Sequence, residues 1–304
     1  MSHRRRAVTR AVVGAAVVLA VSASVGARIT DDLQLGARPQ AMGGAFIAVA
    51  DDINAGYWNP AGIPQLDKQA LGLMHSNPFG VGEVQLNYLS YVHPTALGFL
   101  NGGLSLSYTK QSARLAQGEA EETVDMDENT YILSLGSQLP GGSLSLGANL
   151  KALTVAETDE GITRAGTAFD VGVLYQATED VTVGLMLRNL AARLGDENFP
   201  TDTRVGIAGH VLDHKLRLAA DYASKEDVEG HQGTSWQAHL GAEYWLSDTF
   251  ALRLGSDKGH MTAGFGLGFQ LFGAGSPEGI LDYSYRQDDV LDYTHRFALS
   301  VLWE

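Results

Sequence analysis

Residues Ser143–Leu153 read SLSLGANLKAL. Leu144, Leu146, Ala148, Leu150 and Ala152 occupy every second position, with Ser145, Gly147, Asn149 and Lys151 between them. A period of two puts the first set on one face of a strand and the second on the other. The pattern recurs along the chain. Leu216, Leu218, Ala220 and Tyr222 alternate with Arg217, Ala219 and Asp221, and Phe250, Leu252 and Leu254 with Arg253 and Gly255. Met261, Ala263, Phe265, Leu267, Phe269 and Leu271 alternate with Thr262, Gly264, Gly266, Gly268 and Gln270, and the chain closes on Phe297, Leu299, Val301 and Trp303. Reading outward from 143–153, strands are expected at 69–76, 84–92, 103–110, 129–139, 143–155, 166–176, 181–189, 203–211, 215–223, 234–245, 249–256, 260–271, 279–286 and 295–303. That makes about fourteen strands, an even number, as in a closed antiparallel barrel.

Alternation alone does not say which face meets water, because a soluble sandwich or lipocalin-like barrel shows the same period with its apolar face inward. Three features point to a transmembrane barrel. The polar face carries glycine, serine and isolated charges of both signs, a composition suited to a crowded polar interior; Lys151, Asp170, Arg188, Arg204, Arg217, Asp221, Glu243, Arg253 and Asp282 are the lumen-facing candidates. Aromatic residues lie near strand ends, at Tyr88, Tyr108, Tyr131, Tyr175, Tyr222, Trp236, Tyr244, Trp245, Tyr285 and Trp303, as interfacial girdles require. Connections alternate in length. Short turns at Pro140–Gly142, Ala177–Asp180, Leu212–His214 and Leu246–Asp248 intervene between longer polar loops at Gln111–Glu128, Ala156–Ala165, Leu190–Thr201, Ser224–Gly233 and Arg286–Thr294. Outer-membrane barrels keep their short turns on the periplasmic side. The acidic run with Glu119, Glu121, Glu122, Asp125, Asp127 and Glu128 then falls outside the cell. His93-Pro94-Thr95 and Asn101-Gly102-Gly103 are both turn signals, so Thr95–Gly103 is read as a long turn rather than a kinked strand.

The 304 residues suit one barrel, and the absence of cysteine rules out disulfides and thiolate metal sites. Arg4, Arg5, Arg6 and Arg10, the apolar run Ala11–Val21 and the small residues Val25–Ala27 read as a cleaved signal peptide over residues 1–27. That run is shorter than the roughly 20 residues a spanning helix needs. The net charge of −14 becomes more negative when those arginines leave, so nucleic acid is not an expected partner.

Between the signal and the first strand lies GARPQAMGGAFIAVADDINAGYWNPAGIPQL, Gly36–Leu66. Alanines keep it slim, its glycines permit irregular backbone and close approach, and Asn59-Pro60-Ala61-Gly62 is a turn signal. A lumen of this size must be filled or left as a pore, and irregular backbone at membrane depth is tolerated where protein surrounds it. Residues 28–68 are therefore expected to form a plug, or hatch, and 69–304 the barrel.

The pattern G-A-R-x-x-A-M-G-G-A-F-x-A-V-A-D-D-x-x-A-x-Y-x-N-P-A-G resembles the N-terminal signature of the FadL-like superfamily, which includes long-chain fatty-acid transporters and the PorV/PorQ proteins of type IX secretion. The resemblance covers Gly36–Leu66 closely and the remainder only in architecture. It implies that Met42, Gly43, Gly44, Asp52, Asn59, Pro60, Ala61 and Gly62 are hatch residues in a fourteen-stranded barrel. The loops are short and acidic, without the long apolar outer segments of the fatty-acid transporters.

Other chemistry is sparse. His210, Asp213 and His214 do not form a ligand set, and Asp125, Asp127 and Asn129 lack the glycine and later glutamate of a calcium loop. Ser235, His239 and Glu243 share a strand face but stand about 13 Å apart in succession, too far for a catalytic triad. Neither enzymatic activity, nor a metal, nor a cofactor is expected. The leading expectation is a Gram-negative outer-membrane conduit, passive and FadL-like, for hydrophobic or small amphipathic compounds. The alternatives are a PorV/PorQ-like secretion adaptor and a structural barrel with a permanently filled lumen. Expected partners are outer-membrane lipid, the barrel-assembly machinery, and hydrophobic small molecules or secretion-system components.

Overall fold

The computed structural model describes residues 34–304 apart from 81–82, 98–99, 118–121, 158–160, 196, 227–233, 274 and 289–292. The signal peptide expected at 1–27 and the first residues of the expected plug lie outside the described residues. Fourteen strands follow one another: β1 Gln69–Asn77, β2 Val84–Leu97, β3 Leu100–Gln117, β4 Glu122–Gln138, β5 Leu144–Glu157, β6 Ile162–Gln176, β7 Val181–Leu194, β8 Asp202–Val211, β9 Leu216–Glu226, β10 Thr234–Ser247, β11 Phe250–Asp257, β12 His260–Gln270, β13 Glu278–Arg286 and β14 Thr294–Trp303. Each pairs antiparallel with the next, and β14 pairs with β1, Gln69 opposite Trp303, so the sheet closes into a barrel. A two-residue ladder, Glu197–Asn198, adds to the end of β7.

The period of two is realised as inside and outside. In β5, Leu146 and Leu150 are 42% and 43% exposed, whereas Asn149 and Lys151 are 1% and 7%. The same holds for exposed Leu73, Leu106, Leu135, Ile207, Leu240 and Leu254, so the outer surface is apolar all round. No helix among the described residues is long and apolar enough to cross a membrane; the apolar surface belongs to the strands. Exposed rings stack across strand pairs, Tyr222 on Trp236 with centroids 4.8 Å apart and Tyr108 beside Tyr131 at 5.0 Å. Tyr88 departs from the expected girdle. It is 4% exposed and turned inward, its hydroxyl 3.4 Å from Ser107 Oγ.

Three expectations are corrected. Thr95–Gly103 is not a long turn: β2 continues to Leu97, β3 starts at Leu100, and Pro94 pairs with Gly103 and Thr95 with Gly102. Gly103 is there for close approach, since a Cβ on it would meet Ile63 at 2.7 Å and the β2 backbone at 2.9 Å. Gln111–Glu128 is not an irregular loop either. β3 and β4 stay paired to Gln117 opposite Glu122, with Arg114 on Asp125 and Lys110 on Asp127 across the ladder. Lastly, connection lengths segregate only in part. The rim that holds the C-terminus has short turns but also the seven-residue connection 271–277, and the far rim includes the two-residue turn Lys258–Gly259. The asymmetry lies in strands that overrun the far rim.

Candidate functional site

Residues 34–66 lie inside the barrel and are almost entirely buried. The segment is a short helix α1 (Ala37–Ala41), a turn through Gly43 and Gly44, a second short helix α2 (Ala55–Trp58) and a 3-10 turn (Pro60–Gln65). Gly43 and Gly44 have φ of 65° and 78°, left-handed values that end α1 and reverse the chain. Asn59 joins three pieces: its Oδ1 accepts from Ala61 N (3.1 Å), while Nδ2 donates to Ile47 O (2.9 Å) and to Val173 O of β6 (3.2 Å). Pro60 then starts the 3-10 turn, where its missing N–H is no loss. Phe46, Trp58 and Met42 form the apolar centre, Phe46 edge-on to Trp58 at 5.9 Å, and Trp58 Nε1 donates to Leu35 O.

On one side the wall meets this segment through missing side chains. Gly103, Gly136, Gly147 and Gly172 are successive cross-strand neighbours on β3–β6. A Cβ on Gly136 or Gly147 would overlap the backbone of Pro60 and Ala61, and one on Gly172 would overlap Asn59 Oδ1. Polar contacts here are neutral: Ser134 Oγ donates to Gly56 O (3.2 Å) and Ser90 Oγ to Ile53 O (3.2 Å).

On the other side glycines again admit the segment, a Cβ on Gly241 or Gly255 overlapping Met42 O or Gly43 N, but the polar contact is charged. Glu243 of β10 receives Arg38 of α1 through both carboxylate oxygens, Nε–Oε2 2.7 Å and Nη2–Oε1 2.8 Å. Arg253 of β11 shares Oε2 at 2.7 Å and reaches Asp282 of β13 at 2.6 Å. Arg38 also holds Asp51 (2.7 Å) and Asp52 (3.0 Å), and Arg217 of β9 binds the second oxygen of Asp51 (2.7 Å). Burial pushes the Asp51 carboxyl up, but Arg38 and Arg217 outweigh it and hold the group below its ordinary value. For Asp52 burial wins over Arg38 and its pKa is raised; its Oδ1 accepts from Asn54 N, which orders the entry to α2. Asp221 of β9 accepts from the backbone N–H of Phe46 (2.7 Å) and Ile47 (2.8 Å), and His239 Nδ1 lies 2.9 Å from Gly43 O.

The eight residues named by the resemblance all lie in this segment, Met42, Asn59 and Ala61 fully buried and Gly62 so tight that a Cβ would overlap Ala50 O. The nine lumen-facing candidates all point inward but divide into groups. Arg188, Arg217, Asp221 and Glu243 touch the segment directly, and Arg253 and Asp282 reach it through Glu243. Lys151 and Asp170 pair with each other at 2.7 Å, and Arg204 pairs with Asp202 of its own strand. Arg188 reaches inward through two bulges in β7, where the register against β6 slips and both Arg188 and Asn189 turn into the lumen. Its guanidinium sits 4.6 Å from the Tyr57 ring and donates to Tyr57 O (3.1 Å). His210 Nε2 accepts from Arg217, and the side chain of Ser235 lies outside the described residues. Sequence reading missed Arg38 and Asp51 as site residues, although both lie in the quoted stretch; an arginine and paired acids within an alanine-rich run were the available signal.

No protein-family model matches the chain, and no curated protein matches it. Solved structures do. The toluene transporter TbuX of Ralstonia pickettii superposes with a TM-score of 0.63 at 12% identity, over 91% of this chain and 100% of that one. CymD, a monoaromatic hydrocarbon channel, gives 0.62 at 15% over 90% and 97%. A Pseudomonas aeruginosa FadL homologue gives 0.60 at 13% over 85% and 95%. The fold is that of the FadL-like barrels.

Proposed function

We propose that the chain is a passive, non-catalytic conduit of the Gram-negative outer membrane for hydrophobic or small amphipathic compounds, with residues 34–66 as the element that must yield for passage. The observation that carries this is a barrel with an apolar exterior whose lumen is closed by a separately folded segment held through side chains and backbone contacts. The apolar outer surface fits a bilayer, and the polar inner wall fits a lumen. Similarity of fold to channels described as carrying toluene and monoaromatic hydrocarbons supports an apolar cargo. Movement on this reading is diffusive and follows the gradient.

The test uses the mature protein in planar bilayers and in cells whose outer membrane otherwise excludes toluene. The full chain should conduct ions poorly, and a chain lacking 36–66 should conduct readily. Expression of the full chain should raise toluene uptake above that of cells carrying the empty vector. Unchanged conductance after removal of 36–66, together with no gain in uptake, ends the proposal.

A further inference from the structure

His210 lies near the end of β8, at the rim that holds the C-terminus. Arg217 of β9 stands directly across the ladder, and its Nε donates to His210 Nε2 at 2.9 Å. The same guanidinium donates through Nη1 to Asp51 Oδ2 of the plug at 2.7 Å, with Glu243 Oε1 of β10 3.7 Å away. Asp51 gives its other oxygen to Arg38 at 2.7 Å. A planar guanidinium cannot move one of its nitrogens alone. The bond to His210 therefore fixes the angle at which Arg217 reaches the plug.

A ring nitrogen that accepts from an N–H carries no proton. His210 is thus neutral in this geometry, with its proton on Nδ1. It is not sealed from water. It is half-buried, its ring lies 5.2 Å from that of His214, and the His214 side chain is 65% exposed on the 212–215 turn. His214 Nε2 is 3.6 Å from Asp180 Oδ1, and the backbone N–H of His210 donates to Asp180 O at 3.0 Å. The charged and titratable groups around His210 are Arg217 from β9, Asp51 from the plug, His214 from the turn after β8 and Asp180 from the turn before β7. Asp213 and Lys215 are exposed on the same turn as His214. A chain of contacts therefore leads from water at the rim to the plug.

We infer that His210 is a positioning residue for the plug: neutral, it aims Arg217 at Asp51; protonated, it turns Arg217 away and loosens residues 34–66. Protonation sets an N–H on Nε2 against the Nε–H of Arg217 and places two cations side by side. Arg217 leaves, its bond to Asp51 goes with it, and Asp51 is left to Arg38 alone. The hold is complete while His210 is neutral and is lost as pH falls through its titration, which for an ordinary histidine lies at about 6.5. This role presupposes that residues 34–66 yield for passage, as proposed above, so the experiment reads the plug itself as well as passage.

The experiment compares the full mature chain with its H210Q and H210K variants at about pH 7.5 and about pH 5.5, either side of that titration. Glutamine keeps a neutral acceptor for Arg217, and lysine supplies a permanent cation. Hydrogen exchange in detergent, each rate referred to the intrinsic rate at its own pH, follows the amides of 51–58. In the parent they should lose protection about tenfold at the lower pH, the worth of one charge-assisted hydrogen bond. In H210Q they should keep it, and in H210K they should lack it at both. Ion conductance in planar bilayers should rise in the same pattern. Parent amides indifferent to pH overturn the role. So does an H210Q variant that responds as the parent does, since Asp52 and Asp221, the other acids bonded to the segment's backbone, would then answer the acid. H210Q alone decides, whatever becomes of H210K. If the amides follow the pattern while neither acid nor removal of 36–66 raises the conductance, the positioning role stands and the conduit reading fails.

Discussion

The two sides of the wall hold the same segment by different means. Along β3–β6 contact comes from what is absent: a row of glycines lets the backbone of Asn59–Ala61 lie against the sheet, and a few serine hydroxyls complete it. Along β8–β13 glycines also admit the segment, Gly241 against Met42 and Gly255 against Gly43, but charge is added, with Glu243 gripping Arg38 by both oxygens and Asp221 gripping two N–H groups. Shape permits the segment to sit against both sides, while charge on the second fixes its position and register. Buried ion pairs are weak contributors to net stability but expensive to break singly, whereas neutral hydroxyl contacts are cheap to exchange for water. The β3–β6 side, whose polar contacts are neutral, is therefore where the segment should part from the wall first.

The most severe way to break this contrast is Glu243→Ala. It strands Arg38 and Arg253 in the lumen without their shared carboxylate, both side chains at or below about a tenth exposed. Removing one partner of such a network costs about 3–5 kcal/mol. Hydrogen exchange should show the Phe46 and Ile47 amides losing protection while strand amides keep theirs. Unchanged protection of those two amides would mean that the charged side is not the clamp.

Gly147→Val probes the other side. The new side chain would overlap Pro60 and Ala61, which are backbone atoms held by Asn59 and cannot simply turn away. Overpacking of this kind costs about 1–3 kcal/mol. The barrel should still close, since valine suits a strand, but the segment should become open to added protease and the ion conductance should rise. If strand amides lose protection before residues 34–66 do, the glycine row serves the barrel and not its contents.

How much of this could be read beforehand follows from where the period of two survives. It is clean at 143–153 because one face meets an apolar surround and the other a polar lumen. It disappears at Lys110–Gln117 and Glu122–Asn129, where residues such as Arg114 and Asp125 are exposed on a hairpin that has run past the rim. With both faces polar, a strand looks like a loop. Gly103 misled in the same way: a glycine that admits Ile63 and a glycine that makes a turn are the same letter. The plug was legible from its small residues and from Asn59-Pro60. Its clamp was not, because Arg38 and Glu243 are 205 positions apart and only the register of ten strands brings them together. The glycine row was half visible, as non-apolar positions in single strands, but its alignment across β3–β6 depends on pairing.

The mildest probe is Ser134→Ala. It removes one neutral hydrogen bond, Oγ to Gly56 O at 3.2 Å, and leaves that carbonyl without a helical donor, because four residues on stands Pro60. A loss of about 1–3 kcal/mol is expected, below the Glu243 effect although both residues are fully buried on the wall. Exchange of the amides in 55–58 should quicken modestly, with Phe46 and Ile47 unaffected, because the charged side still holds them. Should Ser134→Ala instead release Phe46 and Ile47 as Glu243→Ala does, the segment would be leaving the wall as one cooperative body, and the division of labour between the two sides would have to be given up.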